Sequence, residues 1–396
     1  MINFYGYPRK DGRVGVRNHL LVVPSVLCAK KVAQRIAENI PETVYLPNPL
    51  GCGQVGEDFE QTARTLVNLA SHPNIGATLI VGLGCERFKA QEFYQRVKER
   101  GTPVEKIVIQ ETGDTLETVQ QGTELLYRLY RQMADQERQE TPLSALTLGL
   151  ECGGTDAASG LAANPSIGVT SDLLIAQGGS SMFSETNELL GSEPILEKRC
   201  VSPQVAQKLL DSISKMEQEL AIETADPAYQ HRKALISSGN FAGGVSTVVE
   251  KALGNILKTG KAPIQDVLKF AEIPKEKGLF FMDTPSLDSE STTAMVAGGC
   301  QIVLFTSGRG TPVGFPLAPV IKITGNAQTY RKMKANIDVD TSSVITKEKT
   351  LQQMGEEIFD LVLKVASGYK PKAEVLGHDE LLGISRILAS CREKDK

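Results

Sequence analysis

The residues able to do chemistry in this chain stand just behind short apolar runs. Cys28 follows the run 20–27, Cys52 comes shortly after 43–46, and Gly84-Cys85-Glu86 follows 77–83. Glu151-Cys152-Gly153-Gly154-Thr155-Asp156 comes after 146–150, and Ser184-Glu185-Thr186, Asp283-Thr284-Pro285 and Ser307-Gly308-Arg309-Gly310 follow later runs. Thiolates are soft ligands that suit iron, carboxylates serve as ligands or general bases, and a guanidinium grips a carboxylate through two parallel hydrogen bonds. Gly153-Gly154 and Gly243-Gly244 let main-chain amides approach an anionic ligand, or are ordinary turns. Any one cysteine also fits as a small buried apolar residue. As a set, the group reads as a metal or polar-substrate site.

Such a site needs elements that bring its parts together. Runs rich in Val, Ile and Leu at 20–27, 43–46, 77–83, 106–110, 146–150, 181–183, 279–282, 302–306 and 320–323 read as strands. Between the early ones, 30–39, 59–69 and 116–133 carry helical periodicity. Alternation of this kind predicts an α/β fold of two domains, with parallel-rich sheets flanked by helices. The carboxyl ends of parallel strands form the ligand crevice, so the residues behind the runs converge. The polar stretch 136–142 sets a break near 141, giving an N-terminal domain 1–141, a C-terminal catalytic domain 142–390 and a tail 391–396; 223–233 reads as a loop or hinge. Asn240 is expected to cap a helix that includes 247–253.

Composition removes several classes. The 396 residues are 41% hydrophobic and 23% charged, with 43 Lys and Arg against 47 Asp and Glu. No basic stripe exists for a nucleic acid, the longest apolar run is too short to cross a bilayer, and residues 1–18 do not form a signal peptide. The cysteines at 28, 52, 85, 152, 200, 300 and 391 include no C-x-x-C pair, which excludes a zinc ribbon or a thioredoxin motif. Reduced thiols in a cytoplasm are the expectation. Gly51-Cys52-Gly53-Gln54-Val55-Gly56 matches a dinucleotide fingerprint, but Glu57 and Asp58 open its helix where a pyrophosphate would dock. There is no P-loop and no G-x-S-x-G elbow. The histidines, His19, His72, His231 and His378, are too scattered for an all-His metal site.

The ordered motifs resemble the altronate and galactarate dehydratase family over nearly the whole chain. They run from Gly6-Tyr7, Arg9, Asp11-Gly12-Arg13-Val14-Gly15 and Arg17-Asn18 through Gly51-Cys52-Gly53 and Gly82-Leu83-Gly84-Cys85-Glu86. Cys152-Gly153-Gly154-Thr155-Asp156, Ser159-Gly160 and Ala163-Asn164-Pro165 come next. Ser184-Glu185-Thr186, Gly239-Asn240, Gly243-Gly244, Glu250-Lys251, Met282-Asp283-Thr284-Pro285 and Thr306-Ser307-Gly308-Arg309-Gly310 complete the series. One departure is Leu50, where many members carry a His before the Gly-Cys.

The resemblance implies a lyase that uses iron(II) on a hydroxy acid. Full-length members carry a small SAF-type domain ahead of Gly6-Tyr7, and Met1 stands directly before that motif. The expectation is therefore a large catalytic subunit partnered by a separate small SAF-domain chain, with a homo-oligomer possible. The chemistry takes a proton next to a carboxylate, stabilises an enediolate and assists departure of a leaving group. On that reading Cys52, Cys85 and Cys152 are metal ligands. Glu86, Glu185 and Asp283 are bases or ligands, Lys251 and Lys322 are proton carriers, and Arg309 clamps the substrate carboxylate. Gly153, Gly154, Asp156, Asn240 and Gly308 bind substrate. The leading expectation is a hydro-lyase acting on a sugar acid such as altronate or galactarate. Its rivals are a carbon–sulfur lyase releasing sulfite from sulfolactate, and a non-catalytic sugar-acid-binding subunit.

Overall fold

The computed structural model describes residues 2–224 and 236–387. Most of the expected hinge at 223–233, together with His231, Cys391 and the tail beyond 390, lies outside the described residues. The chain forms two units: a larger one, Met1–Arg17 with Glu137–Leu382, and a smaller one, Asn18–Gln136 with the chain from Gly383 onward.

The chain opens with β1 (Asn3–Pro8), which pairs antiparallel with β2 (Val14–Gly15). It then enters the smaller unit, where β3 (His19–Pro24), β4 (Val44–Tyr45), β5 (Ile75–Gly82) and β6 (Val104–Val108) make a parallel sheet in the order β4-β3-β5-β6. β5 is buried along its whole length, as an unbroken apolar run requires when both faces are covered. Helices Lys30–Ala37 and Thr115–Met133 share one apolar cluster with the strands, through Val32, Ile36, Leu126 and Leu129 against Leu20, Val22 and Leu79. Asp114 starts the second helix by accepting from the amides of Leu116 and Glu117. Gly122 on that helix faces Ile36 so closely that a Cβ would stand 2.4 Å from its Cδ1. Residues 383–387 return to this unit, where Asp58 receives the Arg386 guanidinium at 2.8 Å and the Ile387 amide at 3.0 Å.

The larger unit resumes with β7 (Gln139–Pro142), antiparallel to β1 in the register Phe4↔Thr141. The first residues therefore belong with the long C-terminal stretch, and the polar segment around 141 is an edge strand. Arg17 fixes this arrangement with Nε and Nη2 each 2.7 Å from an oxygen of the Glu374 carboxylate. A seven-stranded parallel sheet follows: β8 (Thr147–Cys152), β9 (Ser180–Phe183), β10 (Ile264–Leu268), β11 (Leu279–Met282), β12 (Ile302–Thr306), β13 (Val320–Thr324) and β14 (Val339–Asp340). Their order is β10-β11-β9-β8-β12-β13-β14. Leu148, Leu150, Phe183, Phe281, Leu304 and Ile321 pack on helices Asn164–Ala176 and Leu351–Ala366. The α/β class with parallel sheets is thus as expected. From β8 the chain builds outward through β9, then crosses back to place β12 on the other side of β8. That reversal opens a crevice at the carboxyl tips of β8, β9 and β12.

Each expected strand has a counterpart, and those at 279–282 and 302–306 coincide in their bounds. Of the unforeseen strands, β2, β7, β10 and β14 are short or polar pieces at sheet margins, where little apolar patterning is required, and β1 is the centre of the small antiparallel sheet β2-β1-β7. Among the described residues, no helix is long and apolar enough to cross a membrane.

Candidate active site

In the larger unit, the carboxyl tips of β8 and β9 carry acids into a cluster that is largely buried. Glu151, one residue before the end of β8, is fully buried beside helix Asp288–Ala297. Its Oε1 accepts from the Ser291 hydroxyl at 2.7 Å, while Oε2 has no partner. Glu185, just past β9, is equally buried and has a left-handed backbone with φ 74°. For a residue with a Cβ this costs roughly 1–2 kcal/mol. Its amide donates to Thr284 Oγ1 at 3.0 Å, which ties the β9 tip to the β11 tip. The Glu185 Oε2 oxygen pairs with the ammonium of Lys258, and Oε1 has no partner. Glu188 pairs with Lys251 on helix Val248–Ile256, and its Oε2 also lacks a partner. Ligand atoms of Glu151, Glu185 and Asp288 lie within 4.8 Å of one another.

Burying so much charge shifts every member. Desolvation, then repulsion from Glu185, lifts the Glu151 carboxyl well above its usual range. Burial and Glu185 push Glu188 up to about 7, and burial and Glu188 push Asp288 up to about 6. Burial alone would lower Lys258, but Glu185, Cys152, Glu151 and Glu188 hold it protonated above the ordinary lysine value. With every group ionised, the carboxylates Glu151, Glu185, Glu188 and Asp288 outnumber the ammoniums Lys251 and Lys258 by two. One divalent cation restores neutrality. Oxygen donors of this kind suit Mg²⁺, Mn²⁺ or Fe²⁺.

The neighbouring expected residues take distinct places. Cys152 is buried, receives Asn164 Nδ2 at 3.7 Å and contacts Thr155 Oγ1 at 3.5 Å; burial raises its thiol, which disfavours the thiolate. Asn164 also accepts from the Thr306 hydroxyl at 2.6 Å, joining β8 to β12. A Cβ on Gly153 would stand 2.8 Å from Phe305 and 3.4 Å from Asp288 Oδ2, so only glycine leaves that flank of Asp288 clear. The exposed Arg309 runs its side chain over Gly154, whose added Cβ would be 3.3 Å from Arg309 Cγ. Asp156 accepts from the Ser159 amide at 2.8 Å and hydroxyl at 3.0 Å, and from Asn326 at 2.9 Å. Gly308 packs on that carboxylate, leaving 2.3 Å between a hypothetical Cβ and Asp156 Cγ. Asp283, raised by burial, accepts from the Thr186 hydroxyl at 2.6 Å. Lys322, buried in β13, donates to the Pro312 carbonyl at 2.5 Å, and burial lowers it to about 8. Asn240 does not cap the helix that follows: Thr247 does, accepting from the Glu250 amide at 3.1 Å, and Asn240 Oδ1 accepts from the Thr155 amide at 2.9 Å. Thr247 is adjacent to the first helical turn, whereas Asn240 is bound into the short helix Ser238–Ala242.

In the smaller unit, Cys52, Cys85, Glu86, Arg87 and Lys89 line a cleft of about 540 Å³ with Phe59 and Glu92. Both thiols are exposed. Glu86 is buried, with the Ser25 hydroxyl on one oxygen at 2.9 Å and the Gly84 amide on the other at 2.5 Å. The Gly51 carbonyl accepts from the Arg87 amide at 3.1 Å, so the loops bearing the two cysteines are joined. Cys52 and Cys85 thus belong to one unit and Cys152 to the other.

Of the expected residues, Glu185 and Lys251 lie in the buried acid cluster, with Cys152 in electrostatic reach. Sequence reasoning placed Glu151 in the constellation behind the 146–150 run but gave it no role, and did not single out Glu188, Lys258 or Asp288. The position of Glu151 directly behind an apolar run was the signal that placed it there. Lys258, in a short turn after a helix, offers none.

Two family models match the chain. One, for the C-terminal region of D-galactarate/altronate dehydratases, covers residues 143–388, and one for the second domain of D-galactarate dehydratase/altronate hydrolase covers 6–134. Altronate dehydratase of Bacillus subtilis (strain 168) is 36% identical over 375 residues, which is 92% of this chain and 74% of the relative. The (2R)-sulfolactate sulfo-lyase subunit beta of Chromohalobacter salexigens is 35% identical over 391 residues, 98% of each chain. Galactarate dehydratase (L-threo-forming) of Escherichia coli (strain K12) is 33% identical over 388 residues, 93% of this chain and 73% of the relative.

Proposed function

Because the chain belongs to the galactarate and altronate dehydratase family, a family of lyases, we propose that it is the large subunit of a metal-dependent hydro-lyase acting on a sugar acid. The observation that carries this reading is the largely buried acid cluster at the tips of β8 and β9, with its unpartnered carboxylate oxygens. Glu151, Glu185 and Asp288 would hold a divalent ion, Fe²⁺ on this reading, in preference to the thiols. A bound divalent ion supplies a Lewis acid for the negative charge that develops on an enediolate. Glu188, poised near neutrality, takes the proton from the carbon next to the substrate carboxylate, because a base works best with a pKa near the working pH. Lys251, paired with Glu188, returns a proton to the departing hydroxyl, so water leaves and the enol becomes a 2-keto acid. Arg309 takes the substrate carboxylate over the glycine floor at Gly153 and Gly154.

A second reading, release of sulfite from sulfolactate by carbon–sulfur cleavage, is favoured by one observation. The match to the sulfo-lyase subunit runs end to end, whereas the dehydratase relatives extend beyond it. The name of that relative, a subunit beta, makes a partner chain part of this second reading. The test is a panel of altronate, galactarate and sulfolactate given to the iron-loaded, reduced protein, alone and with a candidate small SAF-domain chain. Appearance of a 2-keto acid without sulfite supports the hydro-lyase; sulfite supports the second reading. Tight binding of a sugar acid without turnover would replace both with a binding subunit.

A further inference from the structure

We infer that Lys258 is the positioning residue of the acid cluster, holding Glu185 by one oxygen so that its other oxygen stands ready for a divalent cation. This rests on the cation reading above and concerns a residue whose side chain does not reach solvent. Both side chains of the pair are 0% exposed. The left-handed tip of β9 holds Glu185 from the backbone side through Thr284. Lys258 is held as firmly from its own side. It lies in the turn Leu257–Thr259, and Arg199 donates to the Thr259 hydroxyl at 2.6 Å, the Thr259 carbonyl at 3.2 Å and the Ala262 carbonyl at 2.8 Å.

Three carboxylates facing one another repel, and without an ion they would swing apart or rotate at their terminal torsions. A buried ammonium on Glu185 Oε2 removes that freedom for one of them. Glu185 Oε1 and Glu151 Oε2 then remain as buried oxygens with no partner. Leaving such atoms bare is costly unless a ligand fills the space, so they provide an indication of a cation independent of the clustering. The site is therefore formed before the ion arrives, and the ion binds without first ordering its ligands.

The experiment is a double-mutant cycle on Mn²⁺ binding, read from the electron paramagnetic resonance signal of the free ion, with melting temperature recorded alongside. If Lys258 acts through Glu185, Lys258→Met weakens Mn²⁺ binding at least tenfold. Adding it to Glu185→Gln then changes the affinity no further. Mn²⁺ binding that is unchanged or tighter in Lys258→Met, or losses that add in the double variant, overturns the inference; tighter binding is what a mere neighbouring positive charge predicts. If Lys258→Met does not fold, the comparison of Glu185→Gln with the joint neutral variant still decides. Equal affinities support the inference, and a further tenfold loss refutes it. Wild-type protein that binds no Mn²⁺ removes the cation reading itself, a result distinct from wild-type binding with no effect of Lys258.

Discussion

The ammonium of Lys258 meets one oxygen of Glu185 at a point where neither side chain reaches solvent. Such a pair is weak evidence for net stability, because taking both charges out of water costs as much as their attraction returns. Breaking it from one side is another matter. Glu185→Gln alone should destabilise the larger unit by about 3–5 kcal/mol, whereas Glu185→Gln with Lys258→Met should restore most of that loss. Urea unfolding of the wild type, both single variants and the double variant measures this. Equal destabilisation in the double and the worst single variant would contradict it.

Asp156 was expected to bind substrate, but its oxygens serve Ser159 and Asn326 and its flank is covered by Gly308. Asp156→Ala should therefore cost about 1–3 kcal/mol of stability through lost buried hydrogen bonds. Mn²⁺ affinity should stay within about twofold, a change of under 1 kcal/mol. Chemical unfolding and ion titration on one preparation separate the two effects, and a large drop in affinity with intact stability would return Asp156 to the ligand site.

The thiols should fall into two classes on exposure to iodoacetamide. Cys28, Cys52 and Cys85 are exposed and should be alkylated in the folded protein, whereas Cys152 and Cys300 are enclosed, with thiols that burial pushes upward. Peptide mass spectrometry before and after denaturation reads this directly. Rapid native labelling of Cys152 would show the crevice at the β8 tip to be open to solvent.

Lys322 gives a pH signature. Its folded value of about 8 lies below the ordinary 10.5, so between those limits the unfolded chain binds a proton that the native state does not. Stability relative to Lys322→Met should thus rise as pH goes from about 8 to 10.5. On lowering the pH it should fall across the same interval and level off below about 8, where both states hold the proton, and the full span is up to about 3 kcal/mol. Urea midpoints at pH 7, 8, 9 and 10 test it, and a flat difference would place Lys322 in a better-solvated setting.

Much of the framework is legible in the residues themselves. The strands that carry the crevice, β8, β9, β11, β12 and β13, are buried and predominantly apolar because both faces of a parallel sheet are covered, and their apolar cores can be read directly. β10 is harder: Gln265 and Asp266 break its apolar pattern at an edge with a register shift. β1 and β7 pair across more than 130 residues of sequence, a partnership that no local pattern announces. The site shows the same division. Glu185 behind a strand could be identified from topology alone. Glu188 and Lys258 acquire their roles from partners 63 and 73 residues away, a coupling that no local pattern contains.

The pairing of β1 with β7 has a consequence for how the protein is made. The smaller unit is complete in sequence, save for its short C-terminal return, before the partner of the first strand leaves the ribosome. Until residues 139–142 emerge, the stretch Asn3–Gly6 of β1 lacks the strand it pairs with in the finished fold, β2 covering only Tyr7 and Pro8, and the nascent chain carries a free sticky edge throughout that interval. Separate expression of the two halves cut at residue 141 would strand that segment permanently on the wrong fragment.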